Sequence, residues 1–245
     1  MESSRFPGKP LADIHGMPMI GHCYLRIRMC PELLDTYVAT CNKEIYDYIK
    51  SIGGKVVMTK STHERASDRA AEAMIKIEQE LGYKMDIVVM AQGDEPMTTP
   101  EMITESLQPF VNNPSVNVVN LMQEMSSTEE FNDFNEVKVV KDKYNDAIYF
   151  SREPIPSISL NKVQPSMHKQ ICVIPFKRDY LLKFNKMEQT DLEKIESIDM
   201  LRVIENGEKV KMVYTDSPSH SVDNANDLKK VIDKMADDKL MKMYL

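Results

Sequence analysis

Two short segments, far apart in the chain, carry the residue types that handle phosphate and divalent cations. Ser3-Ser4-Arg5-Phe6-Pro7-Gly8-Lys9-Pro10-Leu11 places two fixed cations, Arg5 and Lys9, among hydroxyls and a single glycine. Glycine lets a backbone approach a ligand closely, and arginine and lysine grip phosphate oxygens, so the mixture suits a polyphosphate. It is not a Walker A loop, which would need glycine where Ser3 stands and a hydroxyl residue where Pro10 stands. A GxGxxG dinucleotide fingerprint is also missing.

The second segment is Ala91-Gln92-Gly93-Asp94-Glu95-Pro96, directly after an apolar run. In open α/β sheets ligands bind beyond the carboxyl ends of strands, and a carboxylate there can hold Mg²⁺ together with substrate phosphates. A plain polar turn is the other reading of those six residues. Ser221-Val222-Asp223-Asn224-Ala225-Asn226-Asp227 offers a second acid. Asp223 can cap the last helix, ligate a cation, or do both.

The elements that must position these residues follow from periodicity. Thr36–Thr40, Lys55–Thr59, Asp86–Ala91 and Val116–Asn120 read as short strands alternating with helices, the signature of βαβ units around a mostly parallel sheet. Asn42 should cap a helix that stops at Gly53-Gly54, Ser67-Asp68 should open a second that closes at Gly82, and Thr99-Pro100 a third. Farther on, Val137–Val140 and Ala147–Phe150 flank a polar turn and predict a hairpin. A loop with Pro154, Pro156 and Pro165 leads to Ile171–Ile174, a charged helix over about 191–206, a strand near Val210–Tyr214 and a final helix after Asp223. With no internal repeat, the region around 130–205 reads as an insertion into a single domain over 1–245.

Composition bounds the answer. Across 245 residues, 31 Lys and Arg against 38 Asp and Glu leave a net charge of −7, a field that repels nucleic-acid backbone. With 42% apolar residues the chain can build a core, and no run approaches the length of a membrane span or a secretory h-region, which predicts a soluble cytoplasmic protein without membrane partners. The four cysteines and five histidines form neither CxxC nor HExxH spacing, so carboxylates are the metal candidates.

Taken in order along essentially the whole chain, Ser4–Leu11, Gly16–Ile20, Gln92–Pro96, Phe150-Ser151-Arg152-Glu153-Pro154-Ile155-Pro156 and Leu201–Gly207 strongly resemble the 3-deoxy-manno-octulosonate cytidylyltransferases, the CMP-Kdo synthetases. The resemblance implies the nucleotide-diphospho-sugar transferase fold, a Rossmann-like, mostly parallel mixed α/β sheet whose inserted hairpin and loop form a dimerisation region. It further implies a Mg²⁺-dependent homodimer that uses CTP and an acidic sugar and serves lipopolysaccharide synthesis. It places Arg5 and Lys9 on the CTP phosphates and Asp94 with Asp223 on the metal, making Arg5, Lys9 and Asp94 the catalytic set. Ser67 and Arg69 fall on the nucleotide side, and Gln92, Arg152, Gln170 and Glu196 on the sugar side.

Departures from the family pattern sharpen the reading. An apolar strand ending in Pro-Ala-Arg normally precedes the first motif, whereas this chain opens at Met1-Glu2-Ser3, which points to a late start or a clipped chain. Arg65 and Ala66 replace serine and glycine beside the expected base pocket. Gln170, Ile174 and Met200 replace histidine, tyrosine and glutamine, so the sugar pocket should offer fewer hydrogen bonds and favour Kdo or a related acid. The alternative is a non-catalytic nucleotide-binding homologue.

Overall fold

The computed structural model describes residues 6–157 and 166–245. Gly8 takes the left-handed conformation and starts a 3₁₀ turn at Lys9–Leu11, where Pro10 needs no amide donor. A miniature hairpin, β1 (Asp13–Ile14) with β2 (Met17–Pro18), delivers the chain into α1 (Met19–Arg28), neither of which the periodicity predicted. β3 (Val38–Thr40) and β4 (Val56–Met58) pair in parallel across α2 (Lys43–Ser51). Asn42 caps α2 as expected, accepting from the amides of Glu44 and Ile45. α3 (Ala66–Leu81) ends at Gly82 in the left-handed conformation, again as expected.

β5 (Ile87–Ala91) leads through the acidic loop to α4 (Pro100–Asn112), whose first turn is closed by the Thr99 hydroxyl accepting from the amide of Met102. The next strand, β6 (Val119–Glu124), begins later than the predicted Val116–Asn120. After α5 (Thr128–Asn132), the hairpin of β7 (Lys138–Lys141) and β8 (Ala147–Ser151) forms where the polar turn predicted it. The apolar run at Ile171–Ile174 is divided at Cys172 between β9 (His168–Ile171) and β10 (Val173–Lys177).

α6 (Arg178–Phe184) follows, and the single charged helix expected over 191–206 is two, α7 (Asp191–Glu196) and α8 (Met200–Glu205). Ser197, at φ 55°, takes a left-handed conformation that ends α7. β11 (Lys211–Tyr214) and α9 (Ala225–Met235) complete the chain before a 3₁₀ turn at Met241–Met243. The α9 cap is Asn224, which accepts from Asn226 and Asp227 while the Asp227 carboxylate accepts from Asn224 in return. Asp223 is therefore not the cap, because the reciprocal geometry needs the residue three before Asp227.

The chain forms two compact units. One comprises residues 1–85, 91–104 and 217–245, the other 86–90 and 105–216. In the first, Ile14, Met19, Met97, Val222, Val231, Met235 and Met241 make one apolar cluster, and Ile20, Cys23, Tyr24, Ile45, Ile49 and Val56 another. The second is organised by a five-stranded mixed sheet ordered β11-β6-β9-β7-β8, parallel only between β11 and β6, with β5 and β10 paired separately. Phe131, Phe150, Phe176 and Phe184 are fully buried in this unit.

Candidate functional site

In the first unit, two carboxylates and one backbone carbonyl converge on the Lys9 ammonium. The 3₁₀ turn fixes the Lys9 backbone, with the Lys9 amide donating to the Phe6 carbonyl and the Leu11 amide to Gly8. Its side chain, only 13% exposed, donates to Asp94 Oδ2 at 2.8 Å and to the Val222 carbonyl at 2.8 Å, and lies 3.8 Å from Asp223 Oδ1. The Val222 amide in turn donates to the Asp94 carbonyl at 2.9 Å, so main chain as well as charge joins the two acidic segments.

The acidic loop itself is tightly folded. Gln92 accepts from the Glu95 amide, Glu95 accepts from both the amide and the hydroxyl of Thr98, and the buried Glu95 carboxylate accepts from the Ser219 hydroxyl at 2.6 Å. A Cβ at Gly93 would come within 2.8 Å of the Ile20 side-chain tip, so the loop and α1 approach closely here and a larger residue would have to push Ile20 aside. Asp94 Oδ1 is buried and has no hydrogen-bond partner among the described residues. An unsatisfied carboxylate oxygen is costly in a folded protein, and a hard cation is one partner that answers it. Two carboxylates around one ammonium fit Mg²⁺ as a donor set, although no group of three or more candidate ligands occurs among the described residues.

Gln92 is half-buried in the same loop. Arg69, on α3, donates to the Thr59 hydroxyl and the Lys60 carbonyl, and Glu72 accepts from the Lys60 amide, pairs with Lys76 and contacts His63. The Lys76 ammonium first, then the Lys60 amide and His63, hold the Glu72 carboxyl down at about 2. Both α3 side chains thus fasten the loop after β4. Ser67 is fully buried in the first turn of α3 and presents no surface to a ligand. Arg65 and Ala66 are the cap and first residue of that helix. Arg5 lies outside the described residues.

Of the residues expected to meet the sugar acid, Arg152, Gln170 and Glu196 belong to the second unit and Gln92 to the first. Glu196, the last residue of α7, accepts from the Ser151 hydroxyl at 2.8 Å, the Tyr149 hydroxyl at 3.2 Å and the Arg152 amide at 2.9 Å. Arg152 donates from Nε to the Glu196 carbonyl and from Nη1 to the Phe134 carbonyl, and its guanidinium lies 5.1 Å from the Phe134 ring centre. Gln170 uses its amide on Asn120, which also donates to the Ile171 carbonyl. Ile174 and Met200 are enclosed, at 2% and 0% exposure. Sequence reasoning missed Asn120, Tyr149, Val222, Glu95 and Ser219 as partners. Only Glu95 carried a signal, its place in the acidic motif.

An acidic loop past a strand with a lysine held against it suits a nucleotidyltransferase, and comparison with known proteins places the chain in that class. The profile of the cytidylyltransferase family matches residues 1–210. Over 244 residues the chain is 37% identical to the 3-deoxy-manno-octulosonate cytidylyltransferase of Geobacter metallireducens, covering 96% of this chain and 94% of that protein. The protein of the same description from Syntrophus aciditrophicus is 36% identical over 231 residues, covering 94% and 92%. A solved structure of CMP:2-keto-3-deoxy-manno-octonic acid synthetase complexed with CTP superposes at a TM-score of 0.86 with 34% identity, covering 96% of this chain and 94% of that one. A glucose-1-phosphate thymidylyltransferase structure from Bacillus anthracis, 14% identical at a TM-score of 0.63 over 96% and 91% of the two chains, shares the fold alone. The chain belongs to the 3-deoxy-manno-octulosonate cytidylyltransferase family.

Proposed function

We propose that this protein transfers the cytidylyl group of CTP to the anomeric hydroxyl of a 3-deoxy-octulosonate-like sugar acid, Kdo or a relative, and releases pyrophosphate. The observation that carries the reading is the Lys9 ammonium held against Asp94, with Asp223 beside it. The bond formed joins the anomeric oxygen to the α-phosphorus, the α–β phosphoanhydride breaks, and the hydroxyl proton leaves to solvent. Negative charge accumulates on the departing pyrophosphate, where a fixed cation stabilises it more than it stabilises the ground state.

Lys9 supplies that charge from the chain itself, and Arg5 is assigned the same duty. Asp94 and Asp223 would hold Mg²⁺, with the buried Asp94 Oδ1 as the clearest acceptor. When bound, the metal supplies charge neutralisation on phosphate oxygens and a lower pKa for the attacking hydroxyl. Arg69 keeps the loop after β4 in place on the nucleotide side.

For the acid, Gln92, Arg152, Gln170 and Glu196 are the assigned residues. Arg152 is suited to a carboxylate because its planar fork binds two oxygens at once. Ile174 and Met200, at 2% and 0% exposure, are packed in the core like Ser67 and present almost no surface to the acid, so the preference among acids rests on the assigned polar residues. We place the reaction in the cytoplasm, carried out by a homodimer that supplies activated acid for lipopolysaccharide. Support for this is the family match.

The test is pyrophosphate release from CTP across a panel of 2-keto-3-deoxy acids including Kdo, with and without Mg²⁺. Release with at least one acid is expected. CTP binding without release for any acid would instead identify a non-catalytic nucleotide binder.

A further inference from the structure

The acidic loop is held from behind by a part of the chain distant in sequence. Arg26, in the last turn of α1 and 2% exposed, donates from Nε to the Thr98 carbonyl at 2.9 Å and from Nη2 to the Met97 carbonyl at 3.3 Å. Its third contact is Asp238, whose Oδ2 accepts from Nη1 at 2.9 Å. Asp238 Oδ1 accepts from the Met241 amide, and Met241 packs in the same apolar cluster as Met97 and Met19. The Tyr244 hydroxyl closes the segment against α1, 2.7 Å from His22 Nδ1, while His22 Nε2 donates to the Ile14 carbonyl.

Helix α1 therefore meets the loop at two places that bracket Asp94. At Gly93 the Ile20 side-chain tip packs so close that a Cβ would lie 2.8 Å from it, and at Met97 and Thr98 both carbonyls are bound by one guanidinium. A buried guanidinium needs a counter-charge, and Asp238 provides it. Remove that carboxylate and the buried cation must find water or another partner, with its two carbonyl contacts at stake.

We propose that Arg26 and Asp238 are positioning residues, through which the C-terminal segment Asp238–Tyr244 fixes the loop that presents Asp94 to a divalent cation. The proposal rests on the reading of Asp94 as a cation ligand. Arg26 binds the loop backbone and Asp238 binds Arg26. Their effect reaches the site through the Met97 and Thr98 backbone.

The experiment measures Mn²⁺ binding to the protein with CTP and no sugar acid, by the electron paramagnetic resonance signal of free Mn²⁺, together with amide hydrogen exchange across residues 93–99. Asp238→Asn should weaken Mn²⁺ binding roughly ten-fold or more, the range found when residues that orient metal ligands are changed. It should also speed exchange across the loop, and Asp238→Glu should restore much of both. Arg26→Lys, which keeps the charge but loses the fork, should act in the same direction. A fall in melting temperature in Asp238→Asn and Arg26→Lys, with Mn²⁺ affinity and loop exchange unchanged, would reduce the contact to a structural one and overturn the proposal. Asp94→Asn serves as the reference. If it binds Mn²⁺ as the parent does, the cation reading itself fails, whereas a loss in Asp94→Asn without a loss in Asp238→Asn sinks the relay alone.

Discussion

Lys9 and Asp94 share a single charge-assisted contact: Lys9 Nζ donates to Asp94 Oδ2 at 2.8 Å, while the other oxygen of the same carboxylate is buried without a partner among the described residues. The lysine thus answers half of the carboxylate and leaves the other half for a ligand of opposite charge. If the ammonium also serves the triphosphate, Lys9→Met should weaken CTP binding roughly ten-fold to a hundred-fold, the worth of a hydrogen bond to a charged group. Isothermal titration with CTP reads this directly, and an unchanged dissociation constant would remove Lys9 from the phosphate site.

The side chain proposed to recognise the acid is a different one. Arg152 is held by the Glu196 and Phe134 carbonyls, so its plane is fixed before any substrate arrives. Arg152→Lys keeps the charge but loses the fork, and should raise KM for the sugar acid about ten-fold while leaving KM for CTP within a factor of about two. Steady-state kinetics with each substrate varied in turn distinguishes this from a general loss of folding, which would lower kcat and spare both KM values.

Stability in the second unit depends on a buried ion pair. Arg202 donates to Glu193 from Nε at 2.7 Å and from Nη2 at 2.5 Å, with the two side chains 4% and 0% exposed, and it stacks 4.4 Å from the Phe184 ring centre. Arg202→Met strands the Glu193 carboxylate, and should cost about 3–5 kcal/mol in urea unfolding. The double variant Glu193→Leu with Arg202→Met should recover part of the loss, because neither charge is then left buried alone.

A pH dependence follows from His22. Burial pushes its imidazole below the ordinary 6.5, against the raising effect of the Ile14 carbonyl. Between that lowered value and 6.5 the unfolded chain binds a proton the folded one does not, so stability falls as the pH drops below about 6.5. His168 in the second unit is lowered in the same direction, by burial and then by Lys141. The melting temperature should decline from about pH 7.5 to about pH 5.5, and His22→Gln should flatten only its share of the slope. A parallel slope in His22→Gln would show that the imidazole is not held neutral.

Local chemistry was legible in the residues and convergence was not. Asn42, Gly82 and Pro100 announce helix ends because each acts on its own neighbouring amides or dihedral. Ser197 broke the predicted 191–206 helix without glycine or proline to mark it. Asp223 could be read as cap or ligand, and only the reciprocal bonds of Asn224 and Asp227 show which residue caps. Arg26 and Asp238, 212 positions apart, have no periodic relation, so no pattern could have paired them. Lys9, Asp94 and Asp223 were grouped through family resemblance rather than spacing, and their common ammonium is a tertiary fact.

The central claim is that Asp94, held against Lys9, seats the cation on which cytidylyl transfer depends. Its most direct test is the rate of pyrophosphate release from CTP and Kdo at saturating Mg²⁺ in the parent and in Asp94→Asn. Release should require the metal in the parent and fall by roughly a hundred-fold or more in the variant, as expected when a group stabilising transition-state charge is lost. Equal rates in the two proteins, or release undiminished by chelation of the metal, would contradict it.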